Sequence, residues 1–517
     1  VLEGGQSSLY GNGALGGLIS FFSRPMSPGS MDLQIDGGSR DARHGSFAAG
    51  IPIFQGLTAN VNGDYQEGGG YRVIGQGAGP ADVTSSVIQR NGYMRLDYAT
   101  SDKWSAFATG HFFGDSRDLG TAQTYGNRDQ RDVDLGLNYG KLSSGQLTMR
   151  AWDGRQIENS LASALRTVSG VARAAEDSSA FAQIPSHDWG ASAIWTRGGL
   201  LGLESFSLGA DYRHYQGDYN ETDYITTGCP TSAACHSISQ LVSSGGDQAL
   251  SGAFAQAIAA PWEPLRIELS ARVDGWQNND GHSITTPASG TAAPLTYSDQ
   301  SKTAFSPRLG VRYALTSNFS LHGAVYKAFR APNLAELYRK QVSSTSITVP
   351  NPNLSPETAL GREVGFDFQP AEWVQMKGTW YVAEYNDFNS PQVLTTNKPA
   401  ECGAIAQCRI RLNVGAERSQ GGEAYVAVRP VQELIVSAGV NYDDDRQQSG
   451  LAPGTTDDHK PHINRVPSPR QTIRATYSSK LVGDWTVMWR HEGQTTTLQA
   501  APLPPFSVVD ANVQRDL

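Results

Sequence analysis

The 517-residue sequence contains no apolar run of about 18 residues, the length that a membrane-spanning helix requires. It also has no excess of basic residues, because the formal net charge is −9. Nucleic-acid-binding domains usually carry a basic stripe, so binding to nucleic acid is not expected. The missing apolar run does not exclude a membrane, since a membrane barrel strand needs only about 9–11 residues of alternating character.

Signatures of catalysis are also missing. The sequence has no G-x-S-x-G elbow, no H-E-x-x-H motif and no phosphate-binding P-loop. Residues Gly11–Gly16 match G-x-G-x-x-G, but a dinucleotide site requires a helix after the loop, and strand-like residues 18–22 follow instead. Glycines that permit tight backbone turns are the simpler interpretation. We therefore expect neither enzymatic activity nor a cofactor.

Cysteine is scarce, with four residues in two close pairs. Cys229 and Cys235 form one C-x5-C spacing, and Cys402 and Cys408 form another, both in polar, turn-rich segments. This pattern predicts two local disulfides and an oxidising compartment. Zinc is a weaker alternative, because the spacing is unusual for zinc ligands and His236 is the one histidine nearby.

The dominant positive signal is period-two alternation of apolar and polar residues. Over residues 265–274, five aliphatic residues alternate with five polar or charged ones. Similar alternation occurs near residues 94–98, 132–139, 206–213, 363–369, 423–429, 434–442, 472–477 and 508–514. We count about twenty such strands, each long enough to cross a membrane when tilted.

Alternation alone does not say which face meets water, but the connections favour a membrane barrel. Short turns followed by an aromatic residue, as in Ser101–Trp104, alternate with long polar connections. The long connections are predicted near residues 68–88, 154–186, 216–246, 276–300, 329–357, 386–412 and 443–466. Small turns on one side and large loops on the other are typical of a transmembrane barrel. The predicted fold is therefore an all-β, large antiparallel transmembrane β-barrel, wide enough to be an open pore or to be plugged.

Residues 1–25 resemble the last part of the plug of TonB-dependent outer-membrane receptors. The matching positions include Tyr10, Gly11, Gly16 and Gly17. The family usually has Gly-Pro where this chain has Gly4-Gly5, a small departure that leaves the resemblance intact.

Two further stretches resemble the barrel of the same family. One is Phe329-Arg330-Ala331-Pro332, and the other is Asn351-Pro352-Asn353-Leu354. Haem receptors of the family place a histidine between these two motifs. Residues 333–350 contain none, so haem is a disfavoured ligand.

The resemblance implies a barrel of 22 strands, of which about twenty are visible here, around an N-terminal plug. We expect residues 1–28 to be the C-terminal part of the plug and residues 29–517 to be the barrel, with its last strands missing. The implied protein is a monomer of the bacterial outer membrane, surrounded by lipid and lipopolysaccharide. It works with the TonB–ExbB–ExbD complex.

The expected activity is TonB-dependent import of a scarce, bulky ligand, with a ferric siderophore favoured. Cobalamin, another metal chelate, haem or a glycan remain alternatives with the same mechanism. A passive porin and a surface signalling receptor are alternatives of a different class. The plug-like sequence argues against a porin, because an open channel needs no such segment.

Candidate ligand residues follow from the direction of each strand and from parity, by which we mean the alternation of inward and outward positions along it. Strands that leave a short turn run outward, so their late inward positions lie in the upper lumen: Arg213, Tyr215, Arg272, Tyr326, Tyr385 and Arg490. Arginine and tyrosine suit an anionic or aromatic chelate, although an ordinary lumen role is the simpler alternative for each. The acidic stretches Asp443–Asp445 and Asp457–His459 suggest calcium, but solvated loop charges are the commoner explanation, and we assign no metal.

Overall fold

The computed structural model describes residues 2–21, 26–101, 103–226, 237–342, 346–396, 398–399, 402–403, 407–449, 466–479, 481–496 and 502–515. Residues 2–21, the N-terminal segment, contain a short antiparallel strand pair and one helical turn. These are β1 (Leu2–Glu3), α1 (Ser7–Tyr10) and β2 (Gly17–Leu18).

Twenty long strands then form the wall of the barrel. They are β3 (Met31–Gly37), β4 (Arg43–Phe54), β5 (Leu57–Arg72), β6 (Thr84–Ser101), β7 (Trp104–Asp118), β8 (Tyr125–Lys141), β9 (Gly145–Val168), β10 (Val171–Gly198), β11 (Ser205–Tyr224), β12 (Ile238–Trp262), β13 (Leu265–Pro287), β15 (Gln300–Thr316), β16 (Phe319–Arg330), β19 (Glu357–Ala371), β20 (Val374–Val393), β21 (Gln407–Val431), β22 (Leu434–Gln447), β23 (Ser468–Ser479), β24 (Gly483–Thr496) and β26 (Phe506–Gln514). Four short strands lie in the connections: β14 (Ala293–Thr296), β17 (Gln341–Val342), β18 (Ser346–Val349) and β25 (Pro502–Leu503). The described residues also include a helix, α2 (Leu334–Tyr338), and a 3-10 turn (Leu200–Gly202).

The wall is closed and antiparallel. Strands adjacent in the chain pair with one another, and the order returns to its start with β26 beside β3. β16 pairs directly with β19, with Tyr326 opposite Gly361, so the connection between them leaves the wall. A closed sheet has no free edge, which is what a bilayer requires of a spanning sheet. The large antiparallel barrel predicted from the alternation is confirmed.

The two faces of the wall differ as a membrane barrel requires. On β13, Leu269 and Val273 are 59% and 55% exposed on the outer face. Ser270, Arg272 and Asp274 alternate with them and are almost fully buried on the lumen side. The apolar face therefore points outward, toward lipid, and the polar face points inward.

Aromatic side chains gather at the short-turn end of the wall. The ring of Tyr98 lies 6.3 Å from that of Phe54 and 5.1 Å from that of Trp104, centroid to centroid. Trp195 and Phe206 form a similar contact at 6.4 Å across the turn between β10 and β11. Such a row is typical of the membrane–water interface.

The connections at the other end are shorter than the sequence predicts. Residues 154–186 are not a loop, because β9 and β10 run through them for 24 and 28 residues to a turn at Ser169-Gly170. Both turn residues have positive φ, 51° and 81°, as a two-residue hairpin turn requires. A strand crosses a membrane in about 9–11 residues, so these hairpins project well beyond it.

Neither helix in the described part of the chain is long and apolar enough to cross a membrane.

Three connections contact one another above the wall. We call this contact the loop clasp, and it consists of residues 79–83, residues 119–124 and Arg173. Asp82 pairs with Arg173 and accepts a hydrogen bond from the Gly79 amide at 2.7 Å. The Ala81 amide donates to the Arg173 carbonyl at 3.1 Å. The Arg173 guanidinium, assisted by the Gly79 amide, lowers the pKa of Asp82 to about 2.

We expect the loop clasp to open in acid. Because the folded pKa of Asp82 lies below its ordinary value of 3.8, its stabilisation is complete above that value and is lost as the pH falls toward about 2. Hydrogen–deuterium exchange of residues 79–83, corrected for intrinsic rates, should therefore rise between about pH 4 and about pH 2.

In the Asp82→Asn protein, these residues should exchange rapidly throughout that range, and the exchange rate should not rise further as the pH falls. The control is Glu204→Gln, which removes an exposed ion pair with Arg266 at the opposite end of the wall. This variant should still show the rise in exchange at residues 79–83 as the pH falls. An unchanged profile in Asp82→Asn would contradict the role of this carboxylate.

Candidate functional site

The N-terminal segment lies inside the lumen and is joined to the end of β16. The Phe329 amide donates to Ser7 Oγ at 3.2 Å, and the Ser7 hydroxyl lies 3.4 Å from the Phe329 carbonyl oxygen. The Ala331 amide donates to Asn12 Oδ1 at 2.7 Å. Two side chains of the segment thus satisfy backbone groups of the Phe329–Pro332 motif.

A buried charge cluster fixes the middle of the segment to the wall. Arg272, on β13, donates to Asp211 at 2.7 and 3.0 Å and to Asp274 at 2.8 Å. Its Nη1 also lies 3.4 Å from the Leu9 carbonyl oxygen. Gly11 has φ of +69°, and a Cβ there would lie 2.8 Å from Arg272 Nη2. Glycine is therefore required at Gly11 both for its backbone conformation and for the close approach of Arg272.

Other wall residues hold the start of the segment. The Ser8 and Ser270 hydroxyls are 3.1 Å apart. Arg308 Nη1 lies 3.5 Å from the Gly5 carbonyl oxygen. The ring of Tyr326 packs against Gly5, where a Cβ would lie 2.8 Å from the ring. Ser270 and Tyr326 are inward residues of the wall, so the segment fills part of the lumen.

Arg330 organises the loop above the segment. Its guanidinium donates to Glu357 at 2.8 Å through two nitrogens, and to Glu336 at 3.0 and 3.1 Å. Glu357 is almost fully buried and also accepts from the Asn389 amide at 2.8 Å. Glu336 forms a reciprocal capping box with Asn333 at the start of α2. One arginine therefore connects β16, α2 and β19.

An apolar cluster beneath this loop joins the two barrel motifs. Its buried members are Leu250, Trp276, Ala331, Leu337, Tyr338 and Leu354. Tyr297 stacks on Tyr338 with centroids 5.5 Å apart, and burial raises the pKa of Tyr338 to about 12. The Tyr338 hydroxyl therefore stays protonated at neutral pH.

The Asn351–Leu354 motif forms a turn anchored to β21. The Asn351 side chain donates to the Arg411 carbonyl at 2.7 Å and accepts from the Asn353 amide at 3.0 Å. Nearby, Cys402 and Cys408 form a disulfide with Cα atoms 5.6 Å apart. The predicted partners Cys229 and Cys235 lie outside the described residues.

The upper cavity has a volume of about 620 Å³ and lies at the loop end of the lumen. It is bounded by the N-terminal segment, the wall and α2, and its lining includes Asn12, Tyr215, Tyr219, Gln248, Asn333 and Arg339. The Arg339 guanidinium lies 3.6 Å from the centroid of the Tyr219 ring. Gln248 donates to the Pro332 carbonyl at 2.9 Å. The cavity thus presents a cation, phenolic rings and amides, together with the carboxylates of Asp188 and Asp218.

Two further cavities lie deeper in the lumen. The arginine cavity, of about 620 Å³, is lined among others by Tyr10, Arg95, Phe107, Arg150, Trp152 and Arg213. Arg95 and Arg150 both lie over the ring of Phe107, at 3.9 and 4.8 Å from its centroid. The tyrosine cavity, of about 270 Å³, is lined among others by Tyr326, Glu363, Tyr381, Tyr385, Asp443 and Arg470.

The six candidate ligand residues are not brought together at one point. Tyr215 lines the upper cavity, Arg213 lines the arginine cavity, and Tyr326 and Tyr385 line the tyrosine cavity. Arg272 is occupied by the N-terminal segment and its two aspartates. Arg490 is exposed, pairs with Asp510 at 3.4 Å and lines none of these three cavities.

The first acidic stretch considered for calcium is engaged with protein groups. The Tyr381 hydroxyl donates to Asp443 at 2.5 Å, and Arg470 Nη2 lies 3.3 Å from the same side chain. Asp444 pairs with Arg446 at 3.0 Å. The second stretch, Asp457–His459, lies outside the described residues.

The sequence analysis did not identify α2, Arg339 or the two aspartates around Arg272. The signal for α2 is present, because Asn333 followed three residues later by Glu336 is a capping-box spacing. Asp211 and Asp274 have inward parity, but their partner is more than 60 residues from one of them in sequence. Parity alone cannot pair such residues.

We expect Ser8→Cys combined with Ser270→Cys to form a disulfide, since the two hydroxyl oxygens are 3.1 Å apart. The bond would join the N-terminal segment covalently to β13. Cleavage of the oxidised protein between the two positions, followed by non-reducing mass spectrometry, should show the linked peptides. Ser8→Cys alone is the control, and failure of the pair to oxidise would contradict this docking.

We expect Arg330→Gln to loosen α2. Removing one partner of a buried ion pair is strongly destabilising, and with Arg330 partly exposed we expect about 2 kcal/mol, or roughly 30-fold faster local opening. Trypsin cleavage after Arg339 measures this opening. Arg312→Gln, at the short-turn end beside Ser320, is the matched control and should leave cleavage unchanged.

Comparison with known proteins identifies one family across most of the chain. Residues 48–516 match the family described as TonB dependent receptor-like, beta-barrel. A stretch of 155 residues is 28% identical to the iron-regulated outer membrane virulence protein of Vibrio cholerae serotype O1. That stretch is 28% of this chain and 23% of the Vibrio protein, so the alignment spans less than a quarter of that relative.

Solved structures share the fold over nearly the whole chain. The ferric yersiniabactin uptake receptor FyuA from Yersinia pestis superposes with a TM-score of 0.74 at 13% identity, covering 98% of this chain and 76% of that one. The copper transporter OprC gives a TM-score of 0.75 at 16% identity, covering 98% and 75%. Identities this low establish similarity of fold alone.

Proposed function

The chain belongs to the TonB-dependent receptor family, and we propose that it imports a ferric siderophore into the periplasm with energy supplied through TonB. The barrel is an outer-membrane barrel. The proposed partner for energy coupling is the TonB–ExbB–ExbD complex, and the proposed unit is the monomer.

One observation supports import over passive diffusion: a single cavity is lined by both the N-terminal segment and the loops. Asn12 contributes from the segment, and Asn333 and Arg339 contribute from the positions immediately before and after α2. A ligand changes a conformational equilibrium only when it contacts the two states differently. A ligand in the upper cavity would touch the segment that must move, so its binding can be transmitted to the periplasmic side.

The chemistry of the upper cavity suits a ferric siderophore. Its volume of about 620 Å³ accommodates a small chelate. Arg339 supplies positive charge for an anionic chelate, and Tyr215 and Tyr219 supply aromatic surface and hydroxyl groups. Gln248 and Asn333 add neutral hydrogen-bonding groups that would orient the ligand.

The contacts beneath the cavity explain why external work is needed. The segment is held by the Arg272 cluster and by Ser7, which do not line the upper cavity, and by Asn12, which does. Breaking such contacts together requires several kcal/mol, which a ligand that stays bound does not release. A pulling force on the segment would break them in sequence.

Binding is tested by tryptophan-fluorescence titration of the full-length protein in detergent with ferric siderophores, cobalamin, haem and copper, side by side. We expect saturable, sub-micromolar binding of one ferric siderophore. Arg339→Gln should weaken it by at least about tenfold, since a hydrogen bond to a charged group contributes about 1.5–3 kcal/mol. Arg490→Gln is the control and should bind as the unchanged protein does. Binding of cobalamin, haem or copper alone would reject the siderophore.

Transport is tested with the protein carrying Ser8→Cys and Ser270→Cys. The oxidised protein should bind the same ligand but fail to take it into cells, and a reductant should restore uptake. Uptake by the fully oxidised protein would reject movement of the segment as the transport step. Equal uptake with and without TonB would reject energy coupling.

A further inference from the structure

The upper cavity contains a carboxylate that no basic side chain neutralises from the lumen. Asp188, on β10, lines the cavity beside Tyr215 of β11, its direct partner in the register. Within the described part of the chain Asp188 forms no ion pair, and the Trp152 indole is its hydrogen-bond donor. The adjacent residue, His187, lies on the outer face and pairs there with Asp153 at 2.7 Å. The negative charge of Asp188 is therefore left facing the cavity.

A second carboxylate adds to the negative charge at this point of the wall. In the register, Gly154 of β9 lies between Asp132 of β8 and Asp188 of β10. A Cβ on Gly154 would lie 2.7 Å from Asp188 Oδ1 and 2.8 Å from Asp132 Oδ1. The two carboxylates thus face each other across a position that has no side chain. Like charges this close repel one another unless a cation lies beside them.

Asp188 is the carboxylate of this group that a ligand can reach. Asp132 lies 3.0 Å from His111 Nδ1 and does not line the upper cavity. Asp218 lines the cavity, but its side chain lies 3.5 Å from His282. A cation that enters the cavity would therefore contact Asp188 directly and would be attracted by Asp132 at longer range.

A buried hydroxyl of the same cavity is also unpaired. Ser244, on β12, is 2% exposed and lines the upper cavity. It is paired with Tyr219 in the register, on the inner face of the wall. Its Oγ has no hydrogen-bond partner among the residues that the structure describes. Buried hydroxyls in proteins are normally hydrogen-bonded, so this group is available to a polar atom of a bound molecule.

The positive charge of the cavity lies nearer the loops. The Arg339 guanidinium lies 3.6 Å from the centroid of the Tyr219 ring. Tyr215, the partner of Asp188, is four residues from Tyr219 on the same face of β11, a spacing of about 13 Å along the strand. The upper cavity is therefore cationic toward the loops and anionic deeper in the lumen.

We propose that the upper cavity binds a ferric siderophore that carries a protonated amine, with the amine at Asp188 and the chelate toward Arg339. An ammonium group donates strong hydrogen bonds to a carboxylate, and the Tyr215 ring beside Asp188 offers a surface that attracts a cation. A siderophore with anionic groups alone would meet Asp188 and Asp132 as like charges. The inference rests on the proposed import of a ferric siderophore and specifies its chemical class.

The test compares ferric chelates that differ in the amine alone. One pair is the ferric complex of desferrioxamine B, a trihydroxamate with a free primary amine, and of its N-acetylated derivative. A ferric catecholate with a free amine and its acetylated form make a second pair, so the result does not depend on the chelating group. In tryptophan-fluorescence titration of the full-length protein in detergent, the free amine of at least one pair should bind at least about tenfold more tightly.

Substitutions at Asp188 locate the preference. Asp188→Asn should weaken binding of the free amine by at least about tenfold and leave the acetylated form unchanged, whereas Asp188→Glu should keep the preference. The matched control is Asp153→Asn, because Asp153 is on the adjacent strand at the same height and faces outward. This control should keep the preference, and heat-modifiable migration on a gel shows that each variant is folded.

The outcomes separate the amine site from the import proposal. Equal binding of both forms in each pair, or tighter binding of the acetylated forms, would overturn the amine site while import of a ferric siderophore still stood. An equal loss of affinity for both forms in folded Asp188→Asn would also overturn the amine site, because it would show a general effect on the cavity. If no ferric siderophore binds the full-length protein, both proposals fail.

Discussion

The structure depends on one constraint: a sheet inside a bilayer must satisfy all of its backbone hydrogen bonds internally. The chain meets it by closing twenty long strands into a ring with no free edge. A ring of that size encloses a lumen too wide for wall side chains to fill. Such a lumen is an open pore or is plugged, and here the N-terminal segment occupies part of it. The surface of the segment matches inward residues that are polar because the outward ones are apolar. The buried Arg272 cluster and the serine contacts of the N-terminal segment provide this match.

Two elements in the upper lumen are held by different interactions: the loop with α2 by apolar packing and ion pairs, and the N-terminal segment by hydrogen bonds. The loop with α2 is fixed by an apolar cluster that includes Trp276 and Leu354, and by the ion pairs of Arg330. The N-terminal segment is held mainly by separate hydrogen bonds to backbone and hydroxyl groups. Apolar packing resists sliding, whereas hydrogen bonds in a polar lumen can be exchanged for bonds to water. The loop is thus a fixed support and the segment is the part that can be displaced.

The sequence predicted the wall well where each strand has one face in lipid and one in the lumen. There the alternation is strict, as on β13 and β8, and the register follows from it. It failed for the projecting part of β9 and β10, where water meets the outer face and the apolar pattern disappears although the pairing continues. The candidate site was predicted only in part, for a similar reason. Parity indicates that Arg272 points inward, but whether it meets a ligand or Leu9, 263 residues away, depends on contacts that no local pattern encodes.

The arginines of this chain show how position decides what a charge does. Arg272 and Arg330 face inward, and carboxylates of the protein neutralise them, so their charge holds elements together. Arg339 carries the same group at the loop end of the lumen, where its guanidinium lies 3.6 Å from the centroid of the Tyr219 ring and lines the upper cavity. The same side chain therefore anchors the fold at two positions and forms a cavity surface at a third.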